Sequence, residues 1–152
     1  MSYSPKVFRR QGGAEYVAAS GGKFTIEAGG GLDKQDNLRL SDEDTYQLTV
    51  EQGQVGFTYI GTKGSATQVI SLPPPTTKGL RFDFVCGHAD GEINVNPGAA
   101  TYKIQGSAIA VAATKDLKNT AATNVLGDSV SLVSDGVDTW WMTAIQGTWA
   151  TT

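Results

Sequence analysis

The sequence is short of charged residues and of cysteine, and it lacks any long apolar run. Only 18% of its 152 residues are charged, and Cys86, the single cysteine, cannot form a disulfide within the chain. The protein is therefore expected to fold without oxidation, as a reducing cytosol requires. No stretch approaches the ~18 apolar residues of a membrane span, and the first residues contain no apolar run of signal-peptide length. These shortages predict a soluble protein that is made in a cytosol and does not enter a membrane.

The sequence also lacks the positive charge that nucleic-acid-binding proteins use. It contains 12 Lys and Arg residues against 15 Asp and Glu residues, for a net charge of −3, and its isoelectric point is near 5.0. Proteins that follow a phosphate backbone need clustered cations. Nucleic acid is therefore not expected as a partner.

Glycine and small polar residues take the place of the missing charge. The chain contains 19 glycines, well above the usual ~7%. This composition is typical of an all-β protein with tight turns, and not of a helical bundle, which needs Glu, Lys, Leu and Arg. Alternating stretches recur from about residue 45, namely YQLTVEQ, QVGFTYIG, QVISL, LRFDFVCG, EINV, TYKIQG, AIAVAA, DSVSLVSDG and TWWMTAIQGTWA. They predict a β-sandwich or a jelly-roll-like barrel, with a helical turn only in residues 115–127.

Two of these stretches predict the core most clearly. In LRFDFVCG and DSVSLVSDG, every second residue is apolar, so one face of each strand is expected to point inward. The second stretch ends at Asp135-Gly136, a preferred hairpin dipeptide. The residues predicted to face inward are Leu80, Phe82, Phe84, Cys86, Val130 and Leu132.

The chain divides by composition and residue pattern into a Gly-rich N-terminal arm, residues 1–44, and a β domain, residues 45–152. Paired glycines in the arm separate short alternating pieces such as EYVAAS and KFTIEA. These features fit either an extended arm that lies on a partner or two ordinary hairpins at the edge of the domain. The acidic run Asp42 to Asp44 is interpreted as a solvated turn, because it lacks the spaced oxygen ligands of a calcium loop.

The residues that could carry chemistry are few and poorly arranged. His88, Asp90 and Glu92 could share one face of a strand, but the glycines beside them indicate a turn, and one histidine with turn acids is a poor metal set. Cys86 ends an apolar face and is interpreted as a buried structural residue. No nucleophile elbow or phosphate loop is present. An enzyme is therefore the weakest hypothesis, and no cofactor is expected.

All three tryptophans lie in the last nineteen residues, SDGVDTWWMTAIQGTWATT. Trp140 and Trp141 are adjacent, so they are expected on opposite faces of one strand. Trp149 suggests that the C-terminal segment is docked. Trp141 and Trp149 could belong to a last strand that closes the domain, to a subunit interface or to a sugar-stacking platform, since Trp is enriched in such contacts.

The motifs TKGLRFDFVCG, INVNP and LKNTAATNVLGDSVSLVSDGVDTWWM, with a final GTW, resemble a β-rich module of structural proteins in tailed bacteriophages. The opening KVFRRQGGAEYVAASGGKFTIEAGG is similar to that of phage head-fibre and capsid-decoration proteins. The sequence departs from the module at Val137-Asp138, because the family more often continues directly from Asp-Gly to an Asn-Trp pair. The turn type of this hairpin is therefore open.

The resemblance implies a capsid decoration (cement) protein, usually a trimer, on the outer surface of a virion assembled in the bacterial cytoplasm. Its partners would be the major capsid protein and further copies of itself. The alternative is a head- or tail-fibre component with a receptor- or glycan-binding β-module. The glycine turns and positive charge of residues 2–31 make this part of the arm the predicted capsid contact. The contact candidates are Tyr3, Lys6, Phe8, Arg9 and Arg10, and the oligomer or ligand contact candidates are Trp141 and Trp149.

Overall fold

The computed structural model describes residues 7–9, 16–18, 37–106 and 115–151 of the chain. The chain divides into two compact units, Met1–Asp33 and Lys34–Thr152. In the first unit, β1 (Val7–Arg9) pairs antiparallel with β2 (Tyr16–Ala18). The strand expected in EYVAAS is therefore present, whereas KFTIEA lies outside the described residues.

The described part of the second unit consists of β-strands and one short helix. The elements are β3 (Leu38–Ser41), β4 (Thr45–Gln47), α1 (Val50–Val55), β5 (Phe57–Gly61), β6 (Thr67–Ser71), β7 (Arg81–Cys86), β8 (Glu92–Asn96), β9 (Lys103–Gln105), β10 (Leu117–Asn119), β11 (Ser129–Ser134), β12 (Thr139–Gln146) and β13 (Ala150–Thr151). They form a six-stranded sheet, β3-β5-β7-β11-β12-β9, and a five-stranded sheet, β13-β10-β8-β6-β4. Of the two architectures expected from the sequence, the all-β sandwich is the one observed.

The chain path alternates between the two sheets. From β3 to β8, each strand lies in the sheet opposite to that of the strand before it, and neighbours within a sheet run parallel. Consecutive strands therefore face each other across the core instead of pairing in one sheet. The described hairpin of the second unit joins β11 to β12, at the predicted Asp135-Gly136 turn. There Gly136 adopts a φ of 89°, a left-handed conformation that favours glycine.

The core contains the residues that strand alternation predicted. Leu80, Phe82, Phe84, Cys86, Val130 and Leu132 are each no more than 1% exposed. Phe84 lies opposite Val130, and Phe82 lies opposite Leu132, on adjacent strands β7 and β11. The prediction of a central apolar strand with a neighbour from the C-terminal region is confirmed.

One local prediction was wrong. The alternation of Tyr46, Leu48 and Val50 predicted a strand through YQLTVEQ, but the strand ends at Gln47 and α1 begins at Val50. The cause is a capping box, in which the Thr49 hydroxyl accepts from the Gln52 N–H and the Gln52 side chain accepts from the Thr49 N–H. Conversely, the first part of residues 115–127 forms β10, and only a single turn follows, closed by the Asn124 N–H 2.8 Å from the Thr120 carbonyl oxygen. No helix among the described residues is long and apolar enough to cross a membrane.

The division between the arm and the β domain lies earlier than the sequence suggested. β3 occupies residues that the sequence grouped with the arm, yet it is a strand of the six-stranded sheet. The acidic run after it is tied to the same unit, because Glu43 pairs with Arg39 and Asp44 pairs with Lys63. The predicted strand AIAVAA lies outside the described residues.

Candidate interaction surface

The N-terminal contact candidates are only partly described. Phe8 and Arg9 lie in β1, whereas Tyr3, Lys6 and Arg10 lie outside the described residues. The capsid-contact role assigned to them from the sequence stays a prediction.

The three tryptophans have different environments. Trp140 is fully buried and its ring centroid lies 5.5 Å from that of Phe82. Trp149 is 6% exposed within the same core, and its indole N–H donates to the Gln146 carbonyl oxygen at 3.1 Å. Trp141, on the opposite face of β12 from Trp140, is 47% exposed. Of the alternatives left open by the sequence, Trp149 therefore takes the core one, and Trp141 is the indole that a partner or ligand can reach.

A buried polar network holds the segment that carries Trp149. The Asn119 side-chain amide donates to the Asp128 carboxylate at 3.0 Å and to the Thr148 carbonyl oxygen at 2.9 Å. The Asp128 carboxylate also accepts from the backbone N–H of Val125 at 3.0 Å. Asp128 is 5% exposed, and a buried carboxylate needs such partners. The network joins β10, the turn before β11 and the segment after β12, so it fixes Trp149 in the core.

The outer face of the six-stranded sheet carries an exposed apolar cluster at its β3 side. Leu40, Ile60 and Val85 lie side by side on adjacent strands, and Leu38 precedes them on β3. Leu38 is 47% exposed and Leu40 is 64% exposed. We call these four residues the leucine patch. Its sequence signal is the alternation in NLRLS, which lies among charged residues that the sequence grouped with the arm.

The other side of the same face carries Trp141. The strand register places Val133 between Arg81 and Trp141, and it places Gln105 on the far side of Trp141. A β-bulge interrupts the β11–β12 pairing between Ser131 and Leu132, close to Trp141. We call the outward-facing residues of this corner the Trp141 face: Arg81, Asp83, Gln105, Ser131, Val133 and Trp141.

The outer face of the five-stranded sheet differs because its polar groups bind one another. Glu92 accepts from the Thr67 hydroxyl at 2.6 Å and pairs with Lys118 at 2.7 Å. Burial raises the pKa of Glu92, but the hydrogen bonds from Lys118 and Thr67 lower it by more. The net pKa of Glu92 is therefore below its usual value. Beside this trio, the Asp116 carboxylate accepts from both Asn94 and Asn96, at 2.8 and 2.9 Å. The polar groups of this face are occupied by each other, which leaves the six-stranded sheet with the more open surface.

The residues considered as catalytic or metal-binding candidates, Cys86, His88 and Asp90, stabilise a turn. Cys86 is 1% exposed, and its Sγ lies 3.1 Å from the His88 carbonyl oxygen. The His88 Nδ1 accepts from the Asp90 N–H at 3.1 Å. Within residues 37–106 and 115–151, no group of three His, Cys, Asp or Glu side chains is close enough to share a metal ion. In this arrangement the thiol is out of reach of a substrate and the imidazole fixes the turn before β8.

Comparison with known proteins does not extend the assignment. No protein-family model matches the chain, and no curated protein matches it.

Proposed function

We propose that this protein is a capsid decoration protein of a tailed bacteriophage, which binds the outer capsid lattice as a homotrimer and stabilises the head. The observation that carries the proposal is the leucine patch, an exposed apolar cluster on one face of a rigid sandwich whose opposite face is polar. Exposed apolar patches on soluble proteins mark contact surfaces. The sequence resemblance to phage decoration proteins supplies the kind of partner.

Each of the two compact units makes a different contact in this proposal. The Met1–Asp33 unit, with Arg9 in β1, contacts the major capsid protein through charge pairing and close backbone approach. The leucine patch contacts a second copy. Full burial of a leucine contributes about 1.5–3 kcal/mol, so the 64% of Leu40 still exposed represents roughly 1–2 kcal/mol per contact. Such contacts are weak singly, but a trimer that attaches at several lattice points binds tightly.

The first experiment is reconstitution on undecorated capsids. Purified protein is added, the particles are washed, and the bound copies are counted by quantitative mass spectrometry and located by cryo-electron microscopy. A decoration protein occupies every equivalent position of the lattice. A head- or tail-fibre component binds only at a vertex or at the tail, and that pattern would contradict decoration in favour of the fibre alternative.

A truncated protein of residues 34–152 tests the division of work between the units. The buried core of the described residues lies in this part of the chain, so we expect it to fold and to retain no lattice binding. Full occupancy by the folded truncation would place the capsid contact in the sandwich instead.

A matched pair of variants tests the leucine patch. Leu40→Glu and Leu126→Glu alter leucines that are 64% and 65% exposed, but Leu126 lies in the turn before β11. We expect light scattering to give about three times the 16.0 kDa chain mass for the parent and for Leu126→Glu. Leu40→Glu should shift toward the monomer, because an interface would bury the new carboxylate without a partner. Equal behaviour of both variants would remove the patch from the interface.

A further inference from the structure

Trp141 is far more exposed than the other two tryptophans. The other two tryptophans are no more than 6% exposed, whereas Trp141 keeps 47% of its surface in solvent. The core beneath it is completed by its neighbours, since Trp140 and Ile104 are fully buried on the inner face. Folding therefore does not explain a large aromatic side chain at this position.

Apart from Val133, the residues that share this face with Trp141 are polar and carry both hydrogen-bond donors and acceptors. Arg81 and Gln105 supply N–H donors, and Asp83 and Ser131 supply oxygen acceptors on the same outer face. Adjacent strands are about 4.8 Å apart and successive residues on one strand face about 6.8 Å apart, so Gln105 lies roughly 5 Å from Trp141, Ser131 and Arg81 roughly 8–10 Å, and Asp83 roughly 12 Å. Neither Arg81 nor Asp83 forms an ion pair with another described residue.

We propose that the Trp141 face is a saccharide-binding site, in which one pyranose ring stacks on the indole of Trp141 and the hydroxyl groups of this ring and of adjoining rings bond to Gln105, Arg81 and Asp83. A tryptophan ring has a negative face, which attracts the weakly positive C–H groups on one side of a pyranose. Sugar hydroxyls both donate and accept, as the surrounding side chains do. The ligand class is a neutral hexose oligosaccharide, because Arg81 and Asp83 carry opposite charges and favour neither a polyanion nor a polycation.

The surroundings favour a saccharide over a second protein. The centre of a protein interface is depleted of charged residues and enriched in apolar ones. The leucine patch has that character, whereas the Trp141 face has Gln105 beside the indole and the charged residues Arg81 and Asp83 farther across the sheet. The bulge between Ser131 and Leu132 also lies next to Trp141, and bulges re-aim side chains beside functional sites. This inference does not rest on capsid decoration, because the sugar would bind the isolated protein.

The test measures binding of cellohexaose, maltohexaose and mannohexaose to the full-length chain by calorimetry and by quenching of tryptophan fluorescence with iodide. Since Trp140 and Trp149 are buried, the quenchable fluorescence belongs to Trp141. We expect at least one hexasaccharide to bind with a Kd of about 1 mM or tighter and to protect Trp141 from iodide.

Three variants separate stacking from simple apolar contact. Trp141→Ala and Trp141→Leu should weaken binding by about tenfold or more, whereas Trp141→Tyr should retain most of it because it keeps a flat ring. Leu40→Ala, on the same face but within the leucine patch, is the matched control and should bind as the parent does. Thermal melting establishes that each variant is folded.

Two results would overturn the proposal. The first is no binding of any hexasaccharide at concentrations well above 1 mM, a range in which even weak lectin-like sites are occupied. The second is equal binding by the parent and Trp141→Ala. If Trp141→Ala instead loses capsid attachment or self-association with no sugar bound by the parent, the face is a protein contact and the saccharide assignment is wrong. Capsid decoration is measured separately, so it can fail or succeed independently of this result.

Discussion

Gly53 is the point at which the short helix α1 meets the core, and replacing it with alanine sets two effects against each other. In an open helix, Gly53→Ala would stabilise by about 0.5–1 kcal/mol, because glycine loses more backbone freedom on folding. Here a Cβ atom would lie 2.7 Å from Cζ of Phe82. Phe82 is fully buried against Trp140 and cannot swing aside. Overpacking of this kind costs about 1–3 kcal/mol, so Gly53→Ala should destabilise by roughly 1 kcal/mol.

A double-mutant cycle with Phe82→Leu isolates this contact. Leucine lacks the Cζ atom, so in the Phe82→Leu background Gly53→Ala should be neutral or stabilising. The cycle should give an interaction energy of at least about 1 kcal/mol. The close approach to Leu80 Cβ, at 3.0 Å, is common to both backgrounds and cancels to first order.

The four proteins are compared by urea unfolding, with the slope m checked for constancy. Stabilisation of the parent by Gly53→Ala would mean that α1 does not pack on Phe82. An equal effect of Gly53→Ala in both backgrounds would refute the steric reasoning even if the parent is destabilised.

The remaining predictions concern the C-terminal third of the chain. Trp149→Ala should cost about 3–5 kcal/mol of unfolding free energy, and Trp141→Ala should cost clearly less because 47% of Trp141 is already in solvent, both measured by urea unfolding; similar costs would contradict the burial difference. Asp135→Ala should cost about 0.5–2 kcal/mol, because its carboxylate accepts from the backbone N–H of Val137, Asp138 and Thr139. Burial raises the pKa of Asp135, but these hydrogen bonds lower it by more, so the net pKa is below the usual value. The contribution of this carboxylate to stability is therefore present above about pH 4 and is lost at lower pH. Asp135→Ala should flatten the acid side of a stability–pH curve. Gly147 has a φ of 85°, and a Cβ atom at this position would strike the Asp128 carboxylate. Gly147→Ala should therefore loosen the segment that carries Trp149 and increase the quenching of tryptophan fluorescence. Unchanged quenching would contradict the network that holds this segment.

Alternation of apolar and polar residues predicted the inward-facing side chains correctly where one face of a strand is buried and the other is exposed to solvent. β7 and β11 have this character, and their inward residues were identified from spacing alone. Alternation failed at α1, because Tyr46, Leu48 and Val50 all pack toward the core although the backbone changes from strand to helix between them. The capping pair Thr49 and Gln52 was visible in the sequence as Thr-x-x-Gln, and it would have marked the helix start.

The interaction surface was less accessible to sequence reasoning. The contrast between Trp140 and Trp141 followed from their adjacency. By contrast, the leucine patch joins Leu40, Ile60 and Val85 from three strands that are far apart in the chain. The spacing of these residues in the sequence does not indicate that they are neighbours. They become neighbours because β3, β5 and β7 pair in parallel while the strands between them lie in the other sheet.

The sequence by itself determined that this protein is all-β, which residues of its strongest strands face inward and where its C-terminal hairpin turns. Each of these depends on neighbours within a few residues, through side-chain alternation and the conformational freedom of Gly136. Only the tertiary structure decided that strands β3 to β8 alternate between two sheets, that Trp149 is buried while Trp141 is exposed, and that one outer face carries an apolar cluster while the other is polar. These outcomes depend on which strand lies beside which, and that choice is made by the burial of the whole core and not by any single stretch of the chain.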